Sequence, residues 1–158
     1  MDYQQLLLAL LPDLLVVVAL FAALGVDYSR LRGSRLAKRY QMACRISAAG
    51  LIAGLAVLML QIAGTMTVME STADGQLVLT RGTLTLKALL YAMGLGVLPL
   101  AKRDQVTPQV SEYFALLLLA TLGMGFVVSS RNLLGAFVAL ELVSLSLYAM
   151  TVLNQAKR

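Results

Sequence analysis

Hydrophobic residues are concentrated in five long runs, and polar residues are concentrated between those runs. Each run approaches the roughly 20 residues that an α-helix needs to cross a hydrocarbon layer. Because a helix satisfies its own backbone groups in lipid, we expect an all-α, polytopic membrane protein whose residues 1–158 form a single transmembrane domain. The predicted spans are residues 6–26, 46–63, 83–101, 113–130 and 132–153.

The connections between these runs carry further information. Residues 64–81 form the longest non-apolar stretch, in which residues 76–80 favour a short extended segment. Only Arg131 and Asn132 separate the last two spans, which predicts an antiparallel helical hairpin. Gly50 and Gly54 in the second span have the GxxxG spacing that permits close helix contact.

Composition agrees with the hydropathy pattern and excludes several kinds of site. The chain is 59% hydrophobic and 13% charged, with a mean hydropathy of +0.82, whereas soluble domains are about 25% charged. It has no His and a single Cys, Cys44, so it lacks the ligand clusters that hold zinc, haem or iron–sulfur centres. We therefore expect neither a metal site nor a cofactor site in this chain, and we interpret Cys44 as a reduced thiol that packs.

Positive charge is distributed as a topology signal. If residues 27–45 are cytoplasmic, that loop, the hinge at residues 102–103 and the tail at residues 157–158 hold ten of the thirteen basic residues. The distribution predicts an amino terminus outside and a carboxyl terminus in the cytoplasm. It also indicates that the basic residues responsible for the net charge of +5 anchor the chain at the lipid headgroups and do not bind a nucleic acid.

The last span contains a single ionisable residue, Glu141. A charge at this depth costs about 2.5–3.5 kcal/mol on insertion scales and usually marks function. Positions three or four apart share one helix face, so a polar stripe that we expect to face inward continues from Glu141 toward the cytoplasmic end. It comprises Ser144, Tyr148, Thr151 and Gln155. The opposite face, expected to contact lipid or neighbouring helices, comprises Leu142, Val143, Leu147, Met150 and Leu153.

Two interpretations of Glu141 compete. The carboxylate can act as polar glue between helices, or it can take up and release a proton or bind a cation. Glutamine or serine would serve as glue at lower desolvation cost, which favours a relay that includes Ser144 and Tyr148. Two weaker candidates are Lys87, which we place near an interface where its ammonium snorkels, and Asp13, which we place near the outer interface.

Two segments carry a family resemblance. EYFALLLLATLG (residues 112–123) and LELVSLSLY (residues 140–148) resemble the fourth and fifth spans of the antiporter-like membrane subunits of respiratory complex I, and subunit N in particular. LLPDLLVVVALFAAL and LTLKALLYAMG are similar in layout to the first helix and the start of the third helix of that family.

The resemblance implies a proton-translocating subunit in the membrane arm of a bacterial NADH:quinone oxidoreductase, located in the inner (plasma) membrane. In that family the residue corresponding to Glu141 pairs with a lysine on a later helix. The implied partners are the other membrane subunits of the complex. NAD, FMN, iron–sulfur clusters and quinone are then expected in other subunits, and this chain is not catalytic alone.

The chain also departs from the family. Family members have about fourteen spans, so the resemblance covers only about their first third, before the helices that carry the relay lysines. Ser146 stands where the family often has proline. We expect a fragment, a split gene product or a shortened subunit. Two alternatives stay open: a subunit of a cation/proton antiporter or membrane-bound hydrogenase, and a chain with only a structural or assembly role.

Overall fold

The structure is a computed structural model that describes residues 3–29, 36–64, 71–72, 77–104 and 109–155. Its elements in chain order are α1 (Tyr3–Ser29), α2 (Leu36–Ile62), β1 (Ser71–Thr72), β2 (Leu77–Val78), α3 (Arg81–Asp104), α4 (Val110–Ser129) and α5 (Leu133–Gln155). Each of the five helices is long and apolar enough to cross a membrane. The prediction of an all-α, polytopic membrane protein with five spans is therefore confirmed.

One helix begins well outside its predicted apolar run. α2 begins at Leu36, because residues 36–45 contain no Gly or Pro and consist largely of good helix formers. The basic residues Arg30, Arg32, Arg35, Lys157 and Arg158, on which the predicted orientation partly depends, lie outside the described residues.

α4 is the centre of the bundle, and α5 lies at its edge. α4 contacts α1, α2, α3 and α5, and 61% of its apolar stretch is buried, compared with 11% for α5. α5 packs mainly on α4, to which only residues 130–132 connect it, so the predicted hairpin is confirmed. Most of the surface of α5 is left uncovered by the rest of the described chain.

The GxxxG spacing in α2 provides the closest helix contact, as predicted. A Cβ placed on Gly50 would overlap the Cβ of Ala19 in α1. A Cβ on Gly54 would lie 3.1 Å from the carbonyl oxygen of Pro12 and 2.9 Å from the ring of Tyr91 in α3. The two glycines thus let α1 and α3 approach the backbone of α2.

Threonine hydroxyls fix the start of α3. Thr80 Oγ1 accepts a hydrogen bond from the Thr83 backbone N–H at 3.2 Å, and Thr83 Oγ1 accepts one from the Thr80 N–H at 2.9 Å. This reciprocal arrangement satisfies two donors that a helix start otherwise leaves without partners. β2 precedes the cap and pairs with β1, in agreement with the extended segment predicted at residues 76–80.

Candidate functional site

A buried ion pair joins α1 to α3. Lys87 Nζ lies 2.6 Å from Asp13 Oδ2, and the Tyr91 hydroxyl donates a hydrogen bond of 2.5 Å to Asp13 Oδ1. Asp13 and Lys87 are each 2% exposed, and Tyr91 is fully buried. The carboxylate therefore has a partner on each oxygen, and its charge is balanced within the described chain.

Helix α1 has a local defect beside Asp13. Pro12 has no backbone N–H, so the carbonyl of Leu8, four residues earlier, loses its helical donor. Gln61 in α2 replaces that donor, because its Nε2 donates to Leu8 O at 2.7 Å. The Gln61 side chain of α2 thus satisfies the α1 carbonyl that Pro12, the residue before Asp13, leaves without a helical donor.

Helix α4 closes the cluster without adding a charge. Gly125 leaves room for the Lys87 stem, since a Cβ at that position would lie 3.1 Å from Lys87 Cε. The Lys87 ammonium lies 5.5 Å from the centre of the Phe126 ring, within the range of a cation–π contact. The cluster is therefore enclosed by three helices, with α4 supplying a glycine and an aromatic face.

The structure brings together two charges that were considered separately in the sequence. Lys87 does not snorkel, because its ammonium is buried inside the bundle against Asp13, whereas the depth of Asp13 near the outer interface stays a prediction. In the structure each charge lies six residues beyond the start of its apolar stretch, at Leu7 or Arg81. Because the first and third of consecutive spans run in the same direction, equal offsets place the two charges at the same depth.

Glu141 has the opposite environment. It lies in the middle of α5, its side chain is exposed, and no described residue forms an ion pair with it. Farther along the same face, Ser144 is half-buried, while Tyr148 is 70% exposed and Thr151 is exposed. The side chain of Gln155, the last predicted member of the stripe, is outside the described residues.

The expectation that this polar stripe faces inward is wrong for the five-helix unit. Contact with α4 determines the rotation of α5: a Cβ on Gly123 would lie 2.7 Å from Val143 Cγ2 and 3.3 Å from the Ala139 carbonyl oxygen. Val143 belongs to the face that was expected to meet lipid or neighbouring helices, and that face meets α4. The glutamate consequently points away from the bundle.

Ser146 lies on the bundle side of α5, at the position where the resembling family often has proline. It is buried, and its hydroxyl donates to the Leu142 carbonyl at 2.7 Å. A proline at this position would take away the backbone donor to that same carbonyl, whereas serine adds a second donor. The Leu142 carbonyl therefore accepts a side-chain hydrogen bond at the point where proline would remove a backbone one.

Comparison with known proteins identifies relatives of the whole chain. It is 36% identical to NADH-quinone oxidoreductase subunit N 2 of Acidobacterium capsulatum over 99% of its own length and 32% of that protein. It is 30% identical to subunit N of Laribacter hongkongensis over 94% of its length and 29% of that protein. The chain is a homologue of NADH-quinone oxidoreductase subunit N.

A cyanobacterial relative extends the same relationship. NAD(P)H-quinone oxidoreductase subunit 2 of Prochlorococcus marinus is 30% identical over 90% of the chain and 26% of that protein. No protein-family model matches the chain. The chain spans about a third of the length of the curated subunit N relatives, a ratio consistent with the predicted match to the first third of such a subunit. Five apolar helices and relatives of this kind indicate a multi-pass membrane protein.

Proposed function

We propose that the chain acts in the membrane arm of an NADH:quinone oxidoreductase, where Glu141 takes up and releases a proton during proton translocation. The names of the subunit N relatives support the assignment to the complex. The observation that carries the role of Glu141 is its exposed carboxylate in the middle of a membrane-spanning helix. An ionisable group in that position is expensive and is a functional site by default.

The charge of Glu141 is completed, in this proposal, by a cation from outside the five-helix unit. Lys87 is already engaged by Asp13 at 2.6 Å, which supports a different lysine as the partner. That lysine belongs to a further helix of a longer polypeptide or of a second chain, and the uncovered face of α5 is where this helix packs. Ser144 and Tyr148 supply hydroxyl groups on the same face, next to the proton path.

The redox chemistry takes place elsewhere in this proposal. NAD, FMN, iron–sulfur clusters and quinone are bound by other subunits, and this chain contributes to ion movement alone. Its location is the bacterial plasma membrane, with the amino terminus outside and the basic carboxyl-terminal tail in the cytoplasm.

Replacement of Glu141 by Gln in the assembled complex tests the proposal. We expect NADH oxidation at the flavin to continue while proton translocation by reconstituted vesicles falls, because glutamine keeps the shape of the side chain but cannot exchange a proton. Glu112→Gln is the matched control, since Glu112 is an exposed carboxylate in the first turn of α4.

The outcomes separate the relay from the alternatives. Undiminished translocation by a fully assembled Glu141→Gln complex excludes the relay and leaves a structural or assembly role. Purification of the native chain in mild detergent provides the second readout. Copurification with flavin and iron–sulfur subunits supports the oxidoreductase, whereas copurification with small antiporter subunits supports cation/proton exchange.

A further inference from the structure

The Asp13, Lys87 and Tyr91 cluster is not accounted for by packing. Replacing a buried ion pair with apolar side chains of similar volume is often neutral or stabilising, so stability alone gives no reason for the pair. Ionisable groups inside membrane-spanning segments generally mark proton or ion pathways. A buried acid and base in contact at 2.6 Å therefore call for a role in chemistry.

The hydrogen bonds of the cluster allow a proton to move without separating charge. Lys87 Nζ and the Tyr91 hydroxyl each present a proton to one oxygen of Asp13, at 2.6 Å and 2.5 Å. When the Lys87 N–H bond breaks and an O–H bond forms on Asp13 Oδ2, the ion pair becomes a neutral acid and a neutral amine. This transfer leaves the net charge of the cluster unchanged. A proton taken up from outside then converts the Lys87 amine back to an ammonium while Asp13 stays protonated, and this is the state that acidification populates.

No further titratable group in the described part of the chain contacts the cluster, and Arg81 of α3 is exposed and lies about 9 Å from Lys87 along the helix at about 1.5 Å per residue. Among the described residues, α2 presents Gly54 and Gln61 to this region, and α4 presents Gly125 and Phe126. β1, which also contacts α1, consists of Ser71 and Thr72. The acid of α4, Glu112, lies about 20 Å from Gly125 along the helix at about 1.5 Å per residue.

The basic residues of α2 are also distant from the Asp13, Lys87 and Tyr91 cluster. Arg45 is the nearest in sequence to Gly54, from which it is about 14 Å along the helix at about 1.5 Å per residue. Lys38 and Arg39 are farther. Among the described residues, the titratable groups in contact with Asp13 are therefore Lys87 and Tyr91.

Phe126 also lines a cavity beside the cluster. This partly open cavity of about 470 Å³ lies between β2, α4 and α5. Ser130 and Asn132 give the otherwise apolar cavity polar groups that can hold water. Because the Phe126 ring also lies over the Lys87 ammonium, this side chain borders both the ion pair and the cavity.

We propose that Asp13, Lys87 and Tyr91 form a second proton-binding site, separate from Glu141, in which the proton is held on the Asp13 carboxylate. Lys87 holds the exchangeable proton when Asp13 is ionised. Tyr91 orients the carboxylate by occupying Oδ1, so that Oδ2 remains directed at Lys87. Phe126 borders both this site and the neighbouring cavity. This proposal is independent of the assignment of Glu141.

Infrared spectroscopy of the chain in lipid vesicles tests the proposal, with aspartate labelled at its carboxyl carbon so that its bands separate from those of glutamate. The Glu141→Gln background removes the carboxyl group in the middle of α5. We expect acidification from neutral pH to produce a reversible protonated-aspartate band that the charge-balanced variant Asp13→Asn/Lys87→Met lacks. Tyr91→Phe should shift the frequency of this band without changing its intensity.

Each outcome decides the question. The charge-balanced variant supplies the contribution of the four other aspartates, Asp2, Asp27, Asp74 and Asp104. A band of the same intensity with and without Asp13 comes from those residues and overturns the proposal. The absence of any protonated-aspartate band over the pH range in which the chain stays folded shows a permanently ionised pair with a structural role alone. Because the charge-balanced variant leaves no unpaired charge in the core, its folding can be verified by circular dichroism before the spectra are compared.

Discussion

Asp13 and Glu141, two carboxylates of the membrane-spanning helices, differ in how their charge is satisfied. Asp13 in α1 is buried and paired on both oxygens by groups of α3. Glu141 in α5 is exposed and forms no ion pair with a described residue. The first group is paired within the five helices, and in our proposal the second is paired by a cation from outside them.

This difference follows from the positions of the helices in the bundle. α1 and α3 are both covered by α2 and α4, so a charge on their inner faces must find its partner locally or remain unsatisfied. α5 contacts little besides α4, and its outer face is free to meet another helix. The chain therefore combines a buried ion pair with a helix, α5, that the rest of the described chain leaves largely uncovered.

Removing one member of the buried pair is expected to have the largest effect. Lys87→Met leaves the Asp13 carboxylate without its cation, and breaking a buried ion pair in this way costs about 3–5 kcal/mol. The measurement is the free energy of unfolding in mixed micelles. Lys38→Met is the matched control, since Lys38 is exposed on α2 and its replacement should change stability by less than about 0.5 kcal/mol.

The charge-balanced Asp13→Asn/Lys87→Met variant sharpens this result. Its loss of stability should be clearly smaller than the sum of the two single losses, because neither charge is left unpaired. If the double variant lost as much stability as the sum of the two single losses, the two groups would not interact, contrary to their 2.6 Å separation.

The hydrogen bond that supports α1 beside Asp13 is expected to have an intermediate effect. Gln61→Met removes the donor to Leu8 O and should cost about 0.6 kcal/mol, the average for hydrogen bonds between membrane helices. In a Pro12→Ala background the helix regains its own donor to that carbonyl. Gln61→Met should then lower the free energy of unfolding by less. An equal loss in both backgrounds, measured by the same unfolding assay, would assign the effect of Gln61 to packing.

Neutralising Glu141 is expected to have the smallest effect on the stability of the 158-residue chain. Its side chain is exposed, so Glu141→Gln should change the free energy of unfolding by less than about 0.5 kcal/mol. A loss comparable with that of Lys87→Met would show that Glu141 has a partner within the five helices. It would also remove the distinction between the two sites.

The sequence predicts the helices well because their main signal, a run of apolar residues of membrane-spanning length, is local. The close contact at Gly50 was also predictable, since small residues four apart form a surface that another helix can approach. The depth of Asp13 and Lys87 could be estimated by counting residues along each span. Their pairing was missed because each was considered separately against the nearest interface.

Rotation of a helix about its axis is harder to predict. The polar stripe that begins at Glu141 was correctly identified as one face, but its direction depends on the contact between Gly123 and Val143 in two different helices. A hydropathy pattern contains no such information when both faces of α5 are largely apolar. The role of Gln61 was missed for a related reason, because the carbonyl that it satisfies lies 53 residues away in the sequence.

Chemical labelling compares the two carboxylates most directly. A hydrophobic carbodiimide reacts with protonated carboxyl groups that it can reach from lipid, and mass spectrometry locates the modified residues. For the 158-residue chain in vesicles, the account predicts modification at Glu141, its loss in the Glu141→Gln variant, and no modification at Asp13. Modification of Asp13 with Glu141 protected would contradict the account, since it would mean that the α1 acid is accessible and the α5 acid is enclosed.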